Sequence, residues 1–179
     1  MQKPSCTDAD QRLLAALRDC AKEPRVAAAA RALSFAGEHG ALWLAAGLAG
    51  AVADRDRRGP WLRATALVAA AHLASMGVKR VVRRPRPHLP AAEPLVRTAG
   101  RHSFPSSHAS SAAAAAVAYG ALRPAGAHLV GPLAAAVCVS RVVAGVHYPS
   151  DVAAGALLGG VTARAGAAWM RKPLEAGRR

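Results

Sequence analysis

Long apolar stretches rich in alanine and leucine alternate along this chain with short charged or proline-bearing breaks. Residues 35–53, 61–78, 106–122, 127–140 or beyond, and 151–170 each form such a stretch. No strand-like alternation interrupts them. A helix of about 20 residues covers the ~30 Å hydrocarbon core of a bilayer. The pattern predicts an all-α, membrane-embedded bundle of about five spanning helices. Residues 7–22 differ: Leu13, Leu14 and Leu17 recur at helical spacing, with Asp8, Asp10, Arg12, Arg18 and Asp19 on the other side. This predicts an N-terminal amphipathic helix, capped by Thr7 or Asp8, lying on the membrane surface or against the bundle.

The breaks also carry information. Residues 54–60, DRDRRGP, read as a short charged turn, and Arg123, Pro124 and Gly126 as another. Pro85, Pro87, Pro90 and Pro94 forbid a helix, so residues 79–103 are expected to form a long irregular connection. Long connections of this kind tend to be functional. Gly155 and Gly159, four apart in the last stretch, favour close helix contact. Alanine is only weakly apolar and Arg164 interrupts the last stretch, so a soluble helical bundle is the alternative.

Composition changes this picture little. The 179 residues suit a single domain over 1–179. The formal net charge is +14, but the cations cluster at the ends of apolar stretches rather than along one soluble element. Juxtamembrane cations are arranged in this way, and nucleic acid is not an expected partner. The three cysteines, Cys6, Cys20 and Cys138, show neither metal spacing nor a disulfide framework.

Three polar islands stand between the apolar stretches: KRVVRRPRP from Lys79, FPSSH from Phe104, and SRVVAGVHYPSD from Ser140 to Asp151. If the helices alternate in direction, these islands meet at one end of the bundle. Lys79, Arg86 and Arg141 are candidate cations for an anion, while Arg80, Arg83 and Arg84 read as juxtamembrane anchors. Ser106 is a natural helix cap, and the free N–H groups that follow make an anion site. His108 is placed to protonate a leaving oxygen. Asp151, four residues after His147, suits a hydrogen bond to one imidazole nitrogen that leaves the other free to attack phosphorus. Capping and interfacial roles are the plain alternatives for each residue alone. His39, His72, His88, His102 and His128 have no partner at a diagnostic spacing, and no metal motif occurs. Glu38 lies at the edge of a span and is either functional or paired.

The spacing KxxxxxxRP, PSxH and SRxxxxxHxxxD resembles the type 2 phosphatidic acid phosphatase superfamily, with Ser107 where that family usually has glycine. The resemblance covers residues 79–151. It implies a helical bundle with His147 as nucleophile forming a phosphohistidine, Asp151 as its orienting partner and His108 as general acid. It implies that Lys79, Arg86, Ser106, Arg141 and the Ser107 backbone N–H hold the phosphate, with no metal or cofactor. If that backbone needed positive φ, the Ser107 side chain would crowd the phosphate.

FAGEHG at residues 35–40 and FPSSHAS look like actinobacterial members that remove the 5-phosphate of decaprenylphosphoryl-5-phosphoribose in cell-wall arabinan precursor synthesis. The alternatives are a polyprenyl diphosphate or phosphatidate phosphatase, or a non-catalytic basic protein that binds anionic lipid. The expected partners are a phosphorylated lipid substrate and the membrane lipids of the bacterial plasma membrane. Arg55, Arg57, Arg58, Arg123, Arg171, Lys172, Arg178 and Arg179 flank the end away from the islands. Setting Lys79 and Arg86 aside as functional leaves Arg80, Arg83, Arg84, Arg97 and Arg101 on the near side. This bias predicts a cytoplasmic C-terminus and a site on the outer face.

Overall fold

The computed structural model describes residues 8–88, 93–98 and 100–172. Among them are eight α-helices and no strand: α1 (Asp8–Asp19), α2 (Pro24–Ala36), α3 (Ala41–Ala53), α4 (Arg58–Val82), α5 (Ser107–Leu122), α6 (Pro124–Val143), α7 (Pro149–Ala165) and α8 (Ala167–Arg171). Thr7, Cys6 and the tail beyond Lys172 lie outside the described residues.

The all-α expectation holds, but the bounds of the apolar stretches shift for local reasons. Helix α2 was not anticipated. Glu23 caps it by accepting from Arg25 N–H, and Pro24 supplies the fixed φ favoured in a first turn. The single span expected over residues 35–53 is broken at Gly37–Gly40, where His39 (φ 51°) and Gly40 (φ 76°) adopt the left-handed region. Helix α4 runs past its expected end and carries Lys79 in its last turn. Pro124 begins α6 rather than sitting in a turn before it. The last stretch divides at Gly166. Among the described residues, two helical segments are long and apolar enough to cross a membrane, Arg55–Val82 and Pro124–Val143.

Helix α5 is the centre of the bundle. Its run of serine and alanine has no polar face, and residues from Ser107 to Leu122 are buried almost throughout against α4, α6 and α7. Small side chains let neighbours approach closely. A Cβ on Gly155 would stand 2.3 Å from the Ser106 carbonyl oxygen, and one on Gly159 would stand 2.0 Å from that of Ser110. The two glycines therefore let α7 lie directly on α5. Tyr119 ties α5 to the α3–α4 pair: its hydroxyl donates to the Trp43 carbonyl at 2.8 Å, and its ring packs on Trp61. Large apolar side chains point outward instead, among them Val52, Leu73, Val81, Leu129 and Leu157.

Candidate active site

The end of α4, the starts of α5 and α7, the end of α6 and the irregular connection after α4 converge at one end of the bundle. They form an open pocket of about 90 Å³ whose lining includes Lys79, Arg86, Ser107, His108, Arg141 and His147. The three polar islands thus meet in space. The connection is held in shape by an isolated bridge between Pro85 and His102 and by Ser103 N–H donating to the Arg84 carbonyl at 2.8 Å.

The three cations are fixed to different degrees. Arg86 donates from Nε to the Gly100 carbonyl and from Nη1 to the Val146 carbonyl, both at 2.8 Å. Lys79 Nζ reaches the His102 carbonyl at 3.4 Å. Arg141 is 3% exposed, yet its Nε and Nη1 are buried with no hydrogen-bond partner. A buried charge without partners is costly. An anion in the pocket would satisfy that fork.

His147 lies in the turn before α7 and is 2% exposed. Its Nδ1 stands 3.6 Å from Asp151 Oδ2, and its Nε2 stands 3.5 Å from Arg86 Nη1. Burial pushes the imidazole down to about 3, against the pull of Asp151 and helped by Arg86, Lys79 and Arg141. The ring is therefore neutral near pH 7. At this distance Nδ1 makes no hydrogen bond, but a proton placed there, on the side of the carboxylate, leaves Nε2 its lone pair. Asp151 is fully buried and held in turn: Tyr148 N–H donates to Oδ2 at 2.9 Å, closing the first turn of α7.

His108 follows directly on the start of α5. Its Nε2 lies 3.2 Å from the Ser34 carbonyl, which can only accept, so Nε2 carries the proton and Nδ1 is left for exchange. Gly37 makes room for the ring: a Cβ there would lie 2.9 Å from His108 Cδ2. Ser107 opens α5 and is not among the residues with positive φ. Serine in place of glycine therefore imposes no backbone strain. Ser106 does not line the pocket. Its hydroxyl accepts from Ala109 N–H at 3.4 Å and its N–H donates to the Asp151 carbonyl at 2.9 Å. It caps α5 and joins it to α7.

Two residues of this region escaped the sequence reading. Arg84, read as a surface anchor, is buried. Its Nη1 donates to Asp151 Oδ1 and to Ser150 Oγ, both at 2.7 Å, and its Nη2 to Asp10 Oδ2 at 2.9 Å. Its guanidinium also lies over the Tyr148 ring at 4.2 Å. Asp10, assigned to a polar helix face, is buried as well. It accepts from Ser150 N–H at 2.9 Å and from the Ser150 hydroxyl. Burial works to raise the Asp10 carboxyl, but the bonds from Ser150 and Arg84 outweigh it and hold it below its ordinary range. Helix α1 is therefore locked onto the site rather than floating on a surface. A third difference concerns histidine: His39 and His72, read as lacking partners, both reach the pocket wall beside Glu38.

Known proteins resemble this chain in sequence and in fold. Residues 60–175 match the family model described as the PAP2 superfamily. The chain is 47% identical over 148 residues to a decaprenylphosphoryl-5-phosphoribose phosphatase of Mycolicibacterium smegmatis, covering 82% of this chain and 80% of that one. It is 46% identical over 136 residues to the protein of the same name in Mycobacterium tuberculosis, covering 76% of each. Among solved structures, it superposes on a transmembrane PAP2-type phosphatidylglycerolphosphate phosphatase from Bacillus subtilis with a TM-score of 0.73. That match has 23% identity over 95% of this chain and 90% of the other, and it speaks for the fold.

Proposed function

The chain belongs to the PAP2 superfamily, and from that premise we propose that it is an integral-membrane lipid phosphatase acting through a phosphohistidine. The observation that carries this reading is Arg141, buried and unpaired in a pocket it shares with His147 and His108. Lys79, Arg86, Arg141 and the first N–H groups of α5 hold the terminal phosphate and balance the charge that builds on its equatorial oxygens. His147 Nε2 attacks phosphorus as Asp151 steadies the opposite nitrogen. The phosphorus–oxygen bond to the substrate breaks, and His108, protonated at Nδ1 while its Nε2–H stays on the Ser34 carbonyl, hands the Nδ1 proton to the departing oxygen. His108 then takes a proton from water, whose oxygen attacks the phosphohistidine, releasing inorganic phosphate and freeing His147.

The substrate proposed is decaprenylphosphoryl-5-phosphoribose, hydrolysed to decaprenylphosphoryl ribose in cell-wall arabinan precursor synthesis. Support comes from the relatives of that name, which share nearly half their residues with this chain over most of both lengths. The proposed location is the bacterial plasma membrane; the two long apolar helices and the outward-facing leucines and valines support a place in a membrane. The active site faces outward. Arg84 is drawn into the interior, which leaves Arg80, Arg83, Arg97 and Arg101 as the exposed arginines flanking the site in the connection after α4 and at its edges. Arg55, Arg57, Arg58, Arg123, Arg171 and Lys172 are exposed at the other end.

Phosphate release by the detergent-solubilised full chain tests the assignment. Offered a polyprenylphosphoryl-5-phosphoribose, a polyprenyl diphosphate and a phosphatidate, it should turn over the first with the highest kcat/KM. A clear preference for either of the others would replace the substrate. No release from any of them would leave an anion-binding membrane protein instead.

A further inference from the structure

Beside the phosphate pocket lies a second, mainly apolar pocket lined by Leu44, Val68 and Leu73, among others. The two pockets share His39 and His72. The histidine rings stand 6.5 Å apart, tilted at 44°. Glu38 Oε1 is 3.8 Å from His39 Nδ1. His72 Nδ1 is buried and has no hydrogen-bond partner. Between a cationic pocket and an apolar one there is thus a cluster of three polar side chains, one with an open valence.

The backbone is bent to make this cluster. His39 and Gly40 are consecutive left-handed residues, and such a conformation is costly for a residue with a Cβ. Gly37 sits against the His108 ring, and Gly40 approaches both Ser111 and His72. The turn is therefore pinned to α5 at one end and to α4 at the other, and it holds Glu38 and His39 at the pocket wall. Neither residue is needed to bind a phosphate, and a carboxylate there opposes one.

We propose that Glu38, His39 and His72 form a subsite for the hydroxyl-bearing pentose of the substrate, set between the terminal phosphate and the lipid chain. The inference rests on the phosphopentose-lipid reading above. A pentose hydroxyl both donates and accepts. A carboxylate accepts only, and a neutral imidazole does one at each nitrogen, so this set matches neighbouring hydroxyls. The order along the site also fits. The terminal phosphate meets Arg141 and His147, the sugar meets the Glu38–His39–His72 cluster, and beyond the linking phosphodiester the lipid chain enters the apolar pocket. Leu73, 69% exposed on α4, lies at that pocket's outer edge, open to the hydrocarbon. Cations alone accept any phosphorylated lipid. His72 Nδ1, buried and left unpaired by a sugar-free lipid, supplies the discrimination, with Glu38 and His39 at the exposed rim.

The test compares a polyprenylphosphoryl-5-phosphoribose with its 2-deoxy and 2,3-dideoxy analogues and with a sugar-free polyprenyl phosphate, using the full chain in detergent. For the native sequence, kcat/KM should fall about 10- to 100-fold from the ribose compound to the dideoxy one. In Glu38→Gln and His72→Phe that ratio should collapse toward one, while the variants still elute as monodisperse protein. An undiminished ribose-to-dideoxy ratio in both variants overturns the subsite and leaves the phosphatase reading intact. A native chain that hydrolyses the sugar-free compound but not the phosphoribose one overturns the substrate reading and the subsite together.

Discussion

Arg84 Nη1 donates to Asp151 Oδ1 at 2.7 Å, both groups buried, directly behind the His147–Asp151 pair. The same guanidinium bonds Asp10, 74 residues earlier in the chain. Removing the cation leaves two buried carboxylates without it. Breaking a buried pair by deleting one partner costs about 3–5 kcal/mol. Arg84→Ala should therefore lower the melting temperature in detergent sharply and reduce turnover. Asp10→Ala should do less, because Arg84 keeps Asp151 and Ser150. Equal, small losses in the two variants would mean that the network adds nothing.

The contact between α5 and α7 makes a second expectation. A Cβ at Gly159 would meet the Ser110 carbonyl oxygen at 2.0 Å, whereas one at Gly160 meets nothing within 4 Å. Overpacking of this kind costs about 1–3 kcal/mol and often more when backbone must move. Gly159→Ala should destabilise the protein, and Gly160→Ala should leave stability nearly unchanged. Thermal melts of the two variants side by side decide it; matched melts would place α7 elsewhere.

The buried His147 gives the fold a pH dependence of known sign. Its imidazole is pushed from an ordinary value of 6.5 down to about 3. Between those values the unfolded chain binds more protons, so stability rises with pH across the window. The contribution is fully present above 6.5 and is lost as pH falls toward 3. Melting temperatures should therefore drop from pH 7 to pH 4.5, and the slope should be shallower in His147→Asn. An unchanged slope would mean that His147 is not buried neutral.

The proposed orientation rests on the exposed arginines at the end away from the site. A fluorescent protein fused after Arg179 should fluoresce, and alkaline phosphatase fused at the same point should be inactive. The reverse pattern would put the active site in the cytoplasm.

How much of this was legible in the sequence depends on the range of the interaction. Helices α4, α5 and α6 were readable because apolar stretches end at prolines or charged turns, and those are local signals. The meeting of Lys79, Arg86, His108, Arg141 and His147 followed from alternating helix directions alone. The break at Gly37–Gly40 was hidden, because Glu38 and His39 read as the polar edge of one apolar stretch rather than as a break in the helix. It took the φ of His39 to show that α2 and α3 are separate. Arg84 looked like its neighbours Arg80 and Arg83; nothing local marks a residue whose partner is Asp10. Ser106 was given a phosphate contact on motif grounds, yet the hydroxyl is used in capping α5.

The account turns on His147 as the nucleophile. The most direct measurement is to quench turnover of a substrate labelled in its terminal phosphate and to map the label on the protein. Acid-labile, base-stable phosphate on the peptide that holds His147, absent from His147→Ala and increased in His108→Ala with a good leaving group, is the result predicted. Turnover by His147→Ala near that of the native chain, or label on another residue, would contradict it.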